Sequence, residues 1–320
     1  PPRSTLFPYT TLFRSEQKIN QESLITSLAM INAPAPINLQ TDEKALLAPL
    51  LEHYAMSVTH LNNFLNVTQG GPHSFLEQNL LHFPQAKSVF TSYGTAMHAT
   101  IEAIYHHLKT REALPSLEEV QNYFAEKLGK EKMSELDYKD YLAKGREVWQ
   151  SYWMQAKQRI AKEHWIETDF KQQQVVVDGV LITGKIDKIV VDEESKMMRV
   201  YDFKTGNPTQ NWQGHDEKEK IKLHGYKRQL AFYKLLVENS RDYHQYQVAE
   251  GALEFLSLSN RGEMIVLNHT ITEPELERLK TLIKAVDHKI RSLDFPDTSH
   301  YEQSLAGMIA FEDDLLTGLS

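Results

Sequence analysis

The stretch Gly184–Gly206, GKIDKIVVDEESKMMRVYDFKTG, predicts a β-hairpin around which the rest of the chain is arranged. Residues 180–191 are rich in Val and Ile, and residues 197–203 form a second apolar run. β-Branched and aromatic residues favour strands, whereas the polar run Asp192–Lys196 between the two segments is typical of a turn. The sequence therefore predicts two antiparallel strands joined by a short polar turn.

Acidic side chains converge on one face of this predicted hairpin. With the turn centred near Glu194, Asp187 lies opposite Asp202, and such partners share a face with Cβ atoms roughly 4.5–5.5 Å apart. Lys204 points the same way as Asp202, because strand side chains alternate with a period of two residues. Two opposed carboxylates destabilise a sheet, and a divalent cation such as Mg²⁺ offsets their charge. The pattern indicates either a metal site or a solvated hairpin face with a chance salt bridge.

Several segments outside the hairpin predict helices and further strands. The segments Gly94–Leu108 and His224–Asn239 have the apolar periodicity of amphipathic helices, and residues 110–170 are also predicted to be helical. Residues 247–258 and 263–267 predict two strands. Helices that alternate with strands in this way favour an α/β core with a mixed sheet.

The polar segment Asn207–Lys222 is predicted to be a loop that is long enough to be functional. Its lysines, Lys218, Lys220 and Lys222, either contact phosphates or are simply solvated, since acidic residues lie among them.

The composition is that of an ordinary globular protein of 320 residues, of which 41% are hydrophobic and 24% charged. The net charge of −8 argues against broad, sequence-independent DNA affinity, which depends on a basic surface. The chain has no cysteine, which excludes disulfides, thiolate-bound zinc and an iron–sulfur cluster. No apolar run approaches the roughly 20 residues that cross a bilayer, so no membrane partner is expected. A cytoplasmic location is the default expectation.

Four motifs, in this order along the chain, resemble those of the PD-(D/E)XK nucleases, and most closely the RecB-type branch. GKID at Gly184–Asp187 is similar to the "GxxD" strand, and DFKTG at Asp202–Gly206 is similar to the "DxKTG" strand. GTAMH at Gly94–His98 resembles the upstream helix with its histidine, and RQLAFY at Arg228–Tyr233 resembles the downstream "QxxxY" helix. Four motifs in the right order, over roughly residues 55 to 300, are far more specific than any one of them.

The resemblance implies a domain organisation. It implies an α/β, restriction-endonuclease-like core, with a mixed central β-sheet flanked by helices, over residues 55–320, and a helical insertion at 110–170. Residues 16–54 are expected to form a linker and N-terminal extension. Residues 1–15, PPRSTLFPYTTLFRS, resemble a translated sequencing-adapter remnant and are expected to be non-native. The alternative is a short apolar arm that docks on the domain.

The resemblance also implies a catalytic centre. Asp187 and Asp202 would hold Mg²⁺ or Mn²⁺, with the backbone carbonyl of Phe203 and the side chain of His98 as further ligands. Lys204 would position the attacking water or neutralise charge that develops in the transition state. Taken from the residues alone, a lone histidine beside an apolar helix face, such as His98, is more often a packed or capping residue than a metal ligand.

A second group of residues is expected to support this centre or to contact the nucleic acid. Gln229 and Tyr233 lie one helical turn apart and share a face, which also suits an ordinary surface pair. Arg228 would flank that face. Glu167, in the segment WIETD, resembles the acidic position before the first core strand of the family and would support the metal.

The function that the resemblance implies is metal-dependent hydrolysis of DNA phosphodiester bonds. RecB-type domains commonly act with UvrD/Rep-like helicases, so a helicase domain or subunit upstream is the implied partner, with DNA-end processing in repair or recombination as the implied role. Two alternatives from other classes are a catalytically silent DNA-binding or scaffold module and a hydrolase of another phosphate ester.

Overall fold

The central feature of the protein is a mixed five-stranded β-sheet. A computed structural model describes residues 41–318, apart from the side chains of residues 41–43 and 46. The expected non-native segment 1–15 and residues 16–40 of the predicted linker lie outside the described residues. The strands are β1 Trp165–Asp169, β2 Val175–Val177, β3 Val180–Ile182, β4 Lys185–Asp192, β5 Met197–Lys204, β6 Gln247–Phe255 and β7 Val266–His269.

The five strands of the central sheet are arranged in the order β1-β4-β5-β6-β7. Neighbours run antiparallel except for β5 and β6, which are parallel. Parallel neighbours need a crossover connection, and helix α7 (Glu217–Glu238) provides it between β5 and β6. β2 and β3 form a separate two-stranded hairpin.

The register of the predicted hairpin is the one expected from its sequence. Lys188 pairs with Tyr201 and Asp192 pairs with Met197. One step beyond the pair of Lys188 and Tyr201, away from the turn, the same register sets Asp187 opposite Asp202. The two carboxylates therefore lie at the open end of the β4–β5 hairpin, far from its turn.

Helices cover both faces of the sheet, which confirms the predicted α/β fold with a mixed, helix-flanked sheet. They are α1 Thr41–Leu51, α2 Val58–Leu65, α3 Gly71–Phe75, α4 Val89–Arg111, α5 Leu117–Gly129, α6 Glu135–Ala156, α7 Glu217–Glu238, α8 Glu273–Arg291 and α9 Leu305–Thr317. None of the helices in the described part of the chain is long and apolar enough to cross a membrane.

The two faces of the sheet carry separate apolar cores. On one side, Val200 and Leu253 pack with Leu230 and Leu236 of α7 and with residues of α2, α8 and α9. On the other side, Phe203 packs with the helical layer α4–α6. Consecutive side chains of β5 thus point into the helical layers on opposite faces of the sheet, as the two-residue period of a strand requires. Asp202 faces the layer of α7, and Phe203 faces the layer of α4.

The structure corrects three of the predicted elements. The single strand expected at 180–191 divides into β3 and β4 at Gly184, where an added Cβ would lie only 2.9 Å from Leu236 Cδ1 of α7. The segment WIETD, expected to precede the first core strand, is itself the edge strand β1. The predicted loop 207–222 ends early, because the side chain of Asp216 accepts a hydrogen bond from the backbone N–H of Glu219 and caps α7.

Candidate active site

A cavity of about 980 Å³ opens at the ends of β4 and β5, between helices α4 and α7. Every predicted site residue except Arg228 lines it, namely His98, Glu167, Asp187, Asp202, Phe203, Lys204, Gln229 and Tyr233. Segments that are far apart in the sequence therefore meet here, because β1, β4 and β5 are neighbours in the sheet and α4 and α7 pack on its opposite faces.

Asp202 is a buried carboxylate held by helix α7. Its Oδ1 accepts hydrogen bonds from Gln229 Nε2 at 2.7 Å and from the Tyr233 hydroxyl at 2.9 Å. Burial raises the pKa of Asp202, the positive charge of Lys204 opposes this shift, and the negative charge of Asp187 adds to it. Burial also raises the pKa of Tyr233, and nearby Asp202 and Asp187 raise it further, so this hydroxyl remains a donor.

Lys204 points into the same cavity from the end of β5. Its Nζ lies 2.7 Å from Asp202 Oδ2 and donates a hydrogen bond to Gln229 Oε1 at 3.0 Å. It also lies 3.8 Å from the centre of the Tyr226 ring, a cation–π contact. Three groups thus fix the ammonium group beside the carboxylate, with little freedom to move away.

Asp187 connects the two sides of the site. Its Oδ2 accepts a hydrogen bond from the backbone N–H of Phe203 at 2.7 Å, and its Oδ1 lies 3.5 Å from His98 Nδ1. Helix α4 comes this close because Gly94, one turn before His98, faces the end of β5. An added Cβ at Gly94 would lie 3.3 Å from Thr205 Oγ1.

The pKa of His98 depends on the carboxylates that surround it. Burial lowers the pKa of His98, but the hydrogen bond and charge of Asp187, followed by the charges of Asp202 and Glu167, outweigh burial and raise it. The histidine is therefore held electrostatically at the carboxylates and is not merely packed against the apolar face of α4.

Glu167 approaches the same point from the edge strand. The pairs on either side of it, Ile166 with Lys188 and Thr168 with Ile186, place Glu167 opposite Asp187. Its backbone has φ 54°, a left-handed conformation that a non-glycine residue seldom adopts. Burial raises the pKa of Glu167, the ion pair with Lys185 opposes the shift, and Asp187 adds to it.

The side chains fit a divalent cation. Ligand atoms of His98, Glu167 and Asp187 all lie within 4.8 Å of one another. Asp202 Oδ2 is buried and lies 2.7 Å from Lys204 Nζ, which balances its charge without a hydrogen bond of good geometry. One lysine offsets only part of the negative charge that Asp187 and Asp202 bring together, so a divalent cation would stabilise the two carboxylates. Carboxylate oxygens are ligands that divalent cations such as Mg²⁺, Ca²⁺ and Mn²⁺ prefer.

The structure does not bring Arg228 to this cavity. Its guanidinium group is buried on the other side of α7, where it pairs with Glu312 and donates a hydrogen bond to Asn62 Oδ1 at 2.8 Å. Adjacent residues on a helix point about 100° apart, so Arg228 turns away from the face that Gln229 shares with Tyr233.

Sequence reasoning missed two aromatic residues of the cavity, Tyr226 and Phe90. Tyr226 lies three residues before Gln229 on α7, so the helical period alone places it on the same face. For Phe90, the sequence offers only an apolar residue before the motif Gly94–His98, which does not distinguish a buried ring from an exposed one.

All of these site residues lie inside the part of the chain that a family model matches. A sequence model for the PD-(D/E)XK nuclease superfamily matches residues 55–303. Among solved structures, the chain is similar to the crystal structure of a "putative exonuclease" from Eubacterium rectale. That match has a TM-score of 0.48 and 12% sequence identity, and it covers 81% of this chain and 89% of that chain. No curated protein matches the sequence significantly.

Proposed function

The chain belongs to the PD-(D/E)XK nuclease superfamily, and we propose that it is a Mg²⁺- or Mn²⁺-dependent deoxyribonuclease that hydrolyses phosphodiester bonds. The observation that carries the proposal is the meeting of Asp187, Asp202 and Lys204 in one cavity, beside the cluster of metal-ligand atoms from His98, Glu167 and Asp187.

The protein's own side chains have distinct roles in the proposed reaction. Asp187, Asp202, His98 and Glu167 would hold the metal ion, with the backbone carbonyl of Phe203 as the further ligand expected from the family. When bound, the ion polarises a phosphoryl oxygen and lowers the pKa of a bound water. Gln229 and Tyr233 keep Asp202 Oδ1 occupied, so that the other oxygen of this carboxylate is the one directed to the ion.

Lys204 has an electrostatic and orienting role in this proposal. Its Nζ is fixed by Asp202, Gln229 and the Tyr226 ring. A positive charge that is held in place before the reaction stabilises negative charge on a phosphoryl group without reorganisation. It also orients an attacking water through its remaining hydrogen.

A polymer suits this site better than a small phosphate ester. The cavity shares Phe90, Thr205 and Gly206 with a second cavity, which in turn shares Ser257 and Leu258 with a third. The three cavities therefore adjoin one another along the segment that follows Lys204. A closed pocket would favour a small substrate, whereas a groove that continues past the site suits a nucleic-acid strand.

We further propose that the protein is a RecB-type nuclease that processes DNA ends in repair or recombination, with a helicase domain or subunit as its partner. The support is the order of the four motifs at Gly94–His98, Gly184–Asp187, Asp202–Gly206 and Arg228–Tyr233. The net charge of −8 is consistent with a nuclease that depends on a partner for much of its grip on DNA.

The test is cleavage of end-labelled single-stranded, blunt duplex and tailed duplex DNA in Mg²⁺, Mn²⁺ or EDTA. Asp202→Asn and Lys204→Ala are expected to lower the rate roughly 100-fold or more, since Asp202 would hold the metal ion and Lys204 would stabilise charge on the reacting phosphate. Asp140→Asn and Lys139→Ala on the exposed face of α6 are the matched controls and keep the wild-type rate. Cleavage confined to single-stranded tails supports the need for a helicase.

Two results would contradict the proposal. A folded wild type that binds DNA but leaves it intact in every metal would favour the catalytically silent scaffold. Hydrolysis of small phosphate esters without cleavage of any oligonucleotide would favour the other class of hydrolase.

A further inference from the structure

Phe90 lies in the first turn of α4, and its ring is unusually exposed. Among the large apolar side chains of the described residues it is the most exposed, at 73%. A single exposed apolar residue is common and needs no explanation by itself. Its location is what matters: it lines both the candidate active site and the adjoining cavity of about 580 Å³. Phe90 therefore stands where the two cavities meet, across from Thr205 and Gly206.

The second cavity places Phe90 near Tyr93, Lys144 and Glu147. The Tyr141 ring lies 6.0 Å from the Phe90 ring at an interplanar angle of 89°, an edge-to-face contact. Such a contact occupies at most one face of Phe90, which leaves a face open to the groove. Lys144 Nζ lies 5.6 Å from the Tyr141 ring and 5.5 Å from the Tyr93 ring. Exposed rings beside cations are the means by which proteins bind unstacked bases.

Lys222 supplies a positive charge on the opposite side of the groove. It lines the active-site cavity, and a Cβ added to Gly206 would lie 3.2 Å from its Nζ. Among the described residues no carboxylate lies within ion-pair distance of Lys222, although many other surface lysines of this chain are paired. Burial first, and then the charge of Lys204, lower the pKa of Lys222. An anion here would relieve that repulsion.

We propose that Phe90 stacks on an unpaired base of the bound nucleic acid and that Lys222 contacts the phosphate beside it, next to the metal site. The base must be unpaired and unstacked, because in a duplex both faces of each base are covered by its neighbours. This inference rests on the proposed nuclease function, and it names the part of the substrate that the groove recognises.

The test is the binding of fluorescently labelled oligonucleotides in Ca²⁺ and in EDTA, measured by anisotropy. Phe90→Ala is expected to weaken binding of a single strand roughly tenfold, the scale of one lost base stack. It should leave unchanged the binding of an otherwise identical strand with abasic sites at the positions nearest the metal. Phe90→Trp should retain binding, because a larger ring stacks as well. Leu136→Ala, which truncates another exposed side chain, at 70%, is the control and should have no effect.

Lys222→Ala gives an independent readout. The variant is expected to weaken the binding of intact and abasic strands equally, because it removes a phosphate contact and not a base contact. The slope of log affinity against log salt concentration should fall in magnitude by about one.

Three results would overturn the inference: no binding of single strands by the folded wild type, an unchanged affinity in Phe90→Ala, or an equal loss on intact and abasic strands. No cleavage occurs in EDTA, so these measurements do not depend on catalysis. Binding that depends on the bases, without cleavage in Mg²⁺ or Mn²⁺, would contradict the nuclease function alone. Cleavage by the wild type, together with a wild-type affinity of Phe90→Ala for the single strand, would contradict this inference alone.

Discussion

The buried carboxylate of Asp202 shows how single residues set up the site. Two donors from α7 occupy one of its oxygens, and the other oxygen has only the nearby charge of Lys204. Such an arrangement holds the carboxylate in one orientation before a metal arrives. Burial and the nearby charge of Asp202 raise the pKa of Tyr233 well above its usual value, so its hydroxyl keeps the proton that it donates to Asp202.

We predict that Tyr233→Phe weakens metal binding and slows cleavage by roughly tenfold or more, the usual cost of removing a group that orients a metal ligand. The ring stays in place, so the fold should survive. Metal affinity is measured by titration calorimetry and cleavage on an oligonucleotide. Tyr226→Phe is the matched control, since the Tyr226 hydroxyl makes no hydrogen bond among the described residues and its ring, which contacts Lys204, remains. Equal effects in both variants would contradict an orienting role for Tyr233.

Local periodicity in the sequence predicts most of this site. Period two places Asp202 and Lys204 together, and the i, i+4 relation places Gln229 beside Tyr233. Local periodicity does not bring Glu167 to Asp187, and only the resemblance to the family implied this approach. It depends on the left-handed backbone of Glu167 and on the pairing of β1 with β4.

At the level of whole elements, the helical layer α4–α6 forms one wall of the groove. Its core contains Phe124 of α5 and Trp149 of α6, both fully buried. The sequence predicts helices at 110–170. It does not reveal how closely α5 and α6 approach, which is decided at Gly145. An added Cβ there would lie 2.1 Å from Phe124 Cε1.

We predict that Gly145→Ala destabilises the protein by about 2 kcal/mol in urea unfolding, even though alanine favours a helix over glycine by about 1 kcal/mol. The overlap is with a buried aromatic ring, which has no free space into which to move. Gly129→Ala, at the exposed end of α5, is the control. Its Cβ would meet only Tyr138 Oη at 3.9 Å, so this variant should be neutral or slightly more stable. Equal stability of the two variants would show that α5 and α6 separate easily.

At the scale of the whole molecule, α9 braces the helix that carries Gln229 and Tyr233. Glu312 of α9 is buried and contacts Arg228 and His224 of α7, the latter at 2.8 Å, and Arg278 of α8 at 3.1 Å. This explains why Arg228 serves the fold and not the groove. No local sequence pattern predicts the contact between Arg228 and Glu312, because the two residues lie 84 positions apart and meet only when three helices pack together.

The acid stability of the protein should depend on this cluster. Burial alone would raise the pKa of Glu312, but Arg228, followed by His224 and Arg278, lowers it from 4.5 to about 2. A pKa lowered in the folded state stabilises the protein above the pKa of the unfolded chain, and this contribution disappears as the pH falls toward the folded value. The shift corresponds to roughly 3 kcal/mol at neutral pH.

We predict that Glu312→Gln lowers the free energy of unfolding by about 3–5 kcal/mol at pH 7, because it leaves the buried Arg228 without a counter-charge. The difference from the wild type should narrow as the pH falls from 4.5 toward 2, where the wild-type carboxylate becomes protonated as well. Urea unfolding across this pH range measures it, with the exposed Glu302→Gln as a control that stays within about 0.5 kcal/mol of the wild type. A difference that stays constant with pH would mean that Glu312 acts through packing and not through its charge, and the brace on α7 would then not be electrostatic.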